Sequence, residues 1–108
     1  MTVDKLCTTE GFSPVVLCDG ESVIEGVYIG DLLSWVMGRA NAGDAWITIM
    51  SNINILAVAT LSGVACIILA EGVKLEDDVM NAAKQKGINV FTTEMSAYDA
   101  ALALSKVL

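Results

Sequence analysis

Two hydrophobic periods alternate along this chain: short β-branched runs, and longer stretches whose apolar positions recur every three or four residues as on a helix. Residues 2–10 predict a short helix, capped by Thr2 and stopped by Gly11. Ser13-Pro14 punctuates, and Val15-Val16-Leu17-Cys18 forms a β-like run closed by Asp19-Gly20. Val23 to Ile29 reads as a strand with Val23, Val27 and Ile29 on one face. Asp31 is placed to cap a helix running to about Asn41, its apolar stripe made of Leu32, Leu33, Val36, Met37 and Ala40. After the turn Ala42-Gly43-Asp44, Trp46 to Met50 is β-branched and aromatic, as a buried strand should be. Ile55 to Leu61 suits a short, heavily buried helix ending at Ser62-Gly63, and Ala65 to Leu69 is the next strand, closed by Glu71-Gly72. Glu76-Asp77-Asp78 puts three acids in the first turn of another helix, where the macrodipole favours them; Val79, Met80 and Ala83 face inward and Gly87 ends it. Ile88 to Thr92 is a strand. Ser96-Ala97-Tyr98-Asp99 resembles a capping box with Asp for Glu, opening a last helix to about Val107.

The alternation predicts a single α/β domain with a mostly parallel, or mixed, central sheet and helices on both faces. One stretch competes with that reading, because no side chain from Ala45 to Ala70 is charged. A run of about 20 apolar residues is also how a membrane helix reads. Here Ser51, Asn52, Asn54, Ser62 and Gly63 interrupt it, and its flanks offer only Arg39 and Lys74. Strands buried on both faces of a parallel sheet are themselves near-continuous hydrophobic runs. The stretch therefore reads as strand, cap, helix and strand, with no membrane partner.

Composition narrows the function. The chain is 55% hydrophobic over 108 residues, which excludes disorder and fits one domain. Six Lys and Arg against thirteen Asp and Glu give a net charge of −7 with no basic cluster, so nucleic acid and anionic surfaces are excluded as partners. No His is present, which removes the commonest general base and metal ligand. Three Cys without a Cys-x-x-Cys pair read as reduced thiols of a cytoplasmic protein, and Met1 to Lys5 shows no signal-peptide pattern. Neither a Walker A loop nor a Gly-x-Gly-x-x-Gly fingerprint occurs. The expectation is no catalytic residue, no metal and no cofactor.

Two candidate surfaces remain. Ligands of open α/β sheets bind outside the carboxyl ends of the strands, which singles out Ser51, Asn52, Asn54, Glu71, Gly72 and Thr93. Trp35, at the margin of its helix stripe, together with Ile55 and Val58 of the apolar 55–61 helix, suggests a surface for self-association or a partner protein.

The run Val27-Tyr28-Ile29-Gly30-Asp31-Leu32-Leu33, then Ala42 to Thr48, then Ala65 to Leu69, and finally Gly87 to Thr93 followed by Tyr98, resembles the DRTGG domain family over nearly the whole chain. That resemblance implies a fold like the N-terminal domain of HPr kinase/phosphorylase, a regulatory and non-catalytic role, and a homodimer. It also hints at hydrogenase or serine-kinase-type proteins as partners. The alternative it implies is a sensor that binds a nucleotide or phosphorylated metabolite at the strand ends. The family's Asp-Arg falls here on Ser51-Asn52, and its Thr-Gly-Gly on Ala70-Glu71-Gly72, so the name motif is largely lost.

Overall fold

The computed structural model describes every residue from Met1 to Leu108. Ten elements follow one another: α1 (Val3–Cys7), β1 (Ser13–Val16), β2 (Gly26–Ile29), α2 (Leu33–Arg39), β3 (Asp44–Thr48), α3 (Asn54–Ser62), β4 (Cys66–Leu69), α4 (Asp77–Lys86), β5 (Val90–Thr92) and α5 (Ala97–Ser105). The five strands make one sheet in the order β1-β5-β4-β3-β2. Strands β2 to β5 run parallel, and β1 closes the far side antiparallel to β5. No helix is long and apolar enough to cross a membrane.

Strand alternation divides the core. Trp46, Ile67, Leu69 and Val90 face α2, α3 and α4, packing on Val36, Ile55, Leu56, Val58, Ala59, Val79 and Ala83. Ala45, Ile47, Cys66, Ile68 and Phe91 face the other way, onto Val3 and Leu6 of α1 and Ala100 and Leu104 of α5. Because β3 and β4 are buried on both sides, every one of their residues is buried. This is the charge-free run of the sequence, now the middle of the sheet.

Local chemistry accounts for most ends. The hydroxyl of Thr2 accepts from the Lys5 N–H, and that of Ser96 from the Asp99 N–H, so both predicted caps are made. Helices α3 and α4 stop at Gly63 and Gly87, both left-handed. Asp31 departs from expectation. It does not cap α2; its Oδ1 accepts from the Thr48 hydroxyl at 2.8 Å and the Ile49 N–H at 2.9 Å, fastening the end of β2 to the end of β3. Helix α2 consequently starts at Leu33 with no side-chain cap. Val23 lies outside β2, in an isolated bridge to Thr2.

Ile55 and Val58 are also corrected. They are 0% and 6% exposed and face the sheet, so neither lies on a surface. An almost wholly apolar helix shows no polar face from which its orientation could be read. Its exposed apolar residue is Leu61, and Ile53 is exposed just before it. Trp35 is 53% exposed, its ring stacked under the Arg39 guanidinium at 3.7 Å.

The two sheet edges differ. β1 carries Pro14 and a break in register between Pro14 and Val16, both of which discourage a further strand. β2 has neither device, and Gly26 to Gly30 bear no charge.

Candidate functional site

Each βα unit brings a strand's carboxyl end and the next helix's amino end to one rim. Two clefts open there. The first, about 410 Å³, lies between the β4–α4 turn and the β5–α5 loop and is lined by Gly72, Lys74, Thr92, Thr93 and Glu94, with Gly11 and Ser13 from the approach to β1. The second, about 390 Å³, lies between the β3–α3 loop and α4 and is lined by Ser51, Asn52, Ile53, Glu76 and Asp78. The six candidate ligand residues are thus divided: Gly72 and Thr93 line the first cleft, Ser51 and Asn52 the second, and Glu71 and Asn54 neither.

The first cleft is built on an unusual turn. Glu71 and Gly72 both have positive φ, 60° and 72°, and the turn closes through the Val73 N–H to the Ala70 carbonyl at 3.1 Å. Glu71 is the one residue other than glycine in that conformation. A left-handed residue with a Cβ costs about 1–2 kcal/mol, and such strain tends to gather at functional sites. Two bonds hold the turn: the Glu71 N–H donates to the Met95 carbonyl at 2.9 Å and the Gly72 N–H to the Thr93 carbonyl at 3.0 Å. Thr93 is nearly fully buried and its hydroxyl accepts from the Met95 N–H at 3.2 Å, so it shapes the loop from within. A Cβ on Gly72 would collide with Glu94 Oε2, so the glycine makes room for that carboxylate.

The second cleft is more open in its backbone and more acidic in its side chains. The N–H groups of Ser51, Asn52 and Ile53 make no hydrogen bond within the chain. Asn52 is engaged differently, its Oδ1 accepting from the Asn54 N–H at 2.9 Å in a local turn. Facing this loop are Glu76 and Asp78, without any cation in the lining.

Catalytic chemistry finds little to use on either side. No three Asp, Glu or Cys side chains converge as a metal site would require. Burial, then the neighbouring Cys7, pushes the Cys66 thiol up to about 12. Burial, then Asp4, also raises Cys7, so both stay protonated near neutrality.

One polar centre went unforeseen. Asn89, 3% exposed, accepts at Oδ1 from the N–H groups of Cys18 and Asp19 and donates from Nδ2 to the carbonyls of Asp19 and Ala65. It clamps the exit of β1 to the entrance of β4 and β5, at the end of the sheet away from the clefts. The strand expected over Ile88 to Thr92 starts at Val90, and nothing local marks Asn89, which that expectation placed inside the strand.

Helices on both faces of a mixed five-stranded sheet, with an open rim and no catalytic cluster, define a small doubly wound α/β module. The chain belongs to the DRTGG domain family, whose model matches residues 12–107. Its fold is similar to part of a solved structure of the CBS and DRTGG domains of the regulatory region of a Clostridium perfringens pyrophosphatase, determined in complex with the activator diadenosine tetraphosphate. The TM-score is 0.75 at 18% identity, over 99% of this chain and 47% of that one, so the chain spans about half of its structural counterpart. No curated protein sequence matches the chain.

Proposed function

We propose that residues 1–108 form one non-catalytic regulatory module that self-associates and contacts a partner protein in the cytoplasm. The observation that carries this reading is the unguarded side of the molecule. Strand β2 leaves alternate backbone groups unpaired, and the side chains of Leu32, just before α2, and Trp35, on α2, stand more than half exposed. A Trp with an Arg stacked on it is a common anchor of protein interfaces, and Gly26 to Gly30 bring no like charge to a contact between copies of a chain at −7. Light scattering at micromolar concentration tests this reading, with a dimer expected that Trp35→Glu weakens. A strict monomer at every concentration overturns the self-association.

A second reading, favoured by the strained Glu71-Gly72 turn beside a cleft of about 410 Å³, is a sensor of a small ligand at the rim. A ligand that binds only the folded chain stabilises it by about 2.7 kcal/mol at a hundredfold excess over Kd. A thermal-shift panel of metabolites is the test, and silence across the panel removes the reading.

A further inference from the structure

Resting on the ligand-sensing reading, we infer that the cleft beside Gly72 takes a small zwitterion, an α-amino acid or a compound with the same pairing of ammonium and carboxylate, in preference to a polyphosphate. Lys74 and Glu94 carry opposite charges, line the same cleft and form no ion pair with each other or with any other side chain. Glycine at position 72 leaves the space in which the Glu94 carboxylate lies. In the same cleft, Ser13 and Thr92 are register partners across β1 and β5, and neither hydroxyl makes a hydrogen bond within the chain. The cleft therefore presents one free anion, one free cation and two free hydroxyls.

A zwitterion answers each of these groups. Its ammonium donates to the Glu94 carboxylate, its carboxylate accepts from the Lys74 ammonium, and the hydroxyls of Ser13 and Thr92 serve either end. Charge-assisted bonds of this kind are the stronger class of hydrogen bond. The volume, about 410 Å³, falls within the usual range of small-ligand sites, roughly 300–1,000 Å³. A polyphosphate meets the reverse situation. Lys74 is the single cation of the cleft, while Glu71, Glu76, Asp77, Asp78 and Glu94 all follow the carboxyl ends of β4 and β5. A ligand of zero net charge is not repelled by that surround; one with several negative charges is.

The experiment uses the whole chain in low-salt buffer at pH 7, with the standard amino acids on one arm and AMP, ATP and diadenosine tetraphosphate on the other. Binding is read by thermal shift and then by titration calorimetry. At least one amino acid should bind, its N-acetyl and amide derivatives should bind at least tenfold more weakly, and the nucleotides should give no response. Glu94→Gln and Lys74→Met should each weaken the amino acid at least tenfold while leaving the melting temperature of the free chain nearly unchanged, since both side chains are exposed. A nucleotide response without an amino-acid response overturns the ligand class and leaves the sensor standing. Amino-acid binding untouched by both variants overturns the location. Silence on both arms overturns the sensor itself.

Discussion

The two rim clefts are of nearly equal size and are built in opposite ways. Beside Gly72 the turn is tied down: the N–H groups of Glu71 and Gly72 bond to the β5–α5 loop, and the charged side chains of the lining are of both signs. Beside Ser51 the backbone is free, with three uncommitted N–H groups, but the side chains opposite are Glu76 and Asp78. The helix amino terminus that would hold an anion is thus countered by carboxylates. The neighbouring turn has the N–H groups of Ala70, Glu71, Gly72 and Val73 all tied, and its cation, Lys74, follows it. Position in the fold makes both places candidates; the distribution of charge and of unspent backbone decides what each can hold.

That contrast can be broken by substitution. The largest effect is expected at Gly72, where alanine adds a Cβ at positive φ and forces Glu94 aside. Gly72→Ala should cost about 1–2 kcal/mol in a urea denaturation series, whereas a loss below a few tenths would mean that the turn readily re-forms. Next, Asn52→Arg gives the second cleft the cation it lacks. A charge-assisted bond predicts that AMP, silent with the parent chain, gives a measurable calorimetric response with the variant, and continued silence would show that Glu76 and Asp78 dominate there. Third, Glu71→Gly removes strain at a residue whose φ of 60° suits glycine. It should raise stability by about 0.5–1 kcal/mol, the relief being partly offset by the greater unfolded-state freedom of glycine. Smallest is Asn52→Ala, which loses only the local bond to the Asn54 N–H and should cost about 0.5 kcal/mol.

Much of this architecture is visible in the pattern of residues. Element order, the Ser96 cap, the acidic start of α4 and the double-sided burial of β3 and β4 all follow from local periodicity and cap chemistry. The two clefts were legible only as a rim. Which residues share a cleft depends on how the β3–α3 loop sits against α4 and how the Ala70–Val73 turn sits against the β5–α5 loop, and neither is a local property. Asp31 shows the same limit, because an Asp before a helix caps it unless a partner in another strand competes, and Thr48 and Ile49 do. Ile55 and Val58 failed for want of contrast, α3 being apolar nearly all round. Asn89 was hidden because its four partners lie 24 to 71 residues away.

The Asn89 clamp bears on how the first strand is held. Of this sheet's strands, β1 comes first along the chain and finds its only strand partner in β5, which comes last. Val15-Val16-Leu17 therefore depend for their pairing on a strand more than 70 residues away, whereas β2, β3 and β4 pair with their neighbours in sequence. An unpaired apolar strand invites pairing with a neighbouring chain, and Pro14 makes this one a poor template. Asn89, immediately ahead of β5, bonds Cys18 and Asp19 just past the end of β1, so the anchor of the edge strand sits next to the strand that pairs with it. The proline limits what else can pair with this edge strand and the asparagine fixes where it pairs, so one strand carries both its guard and its latch.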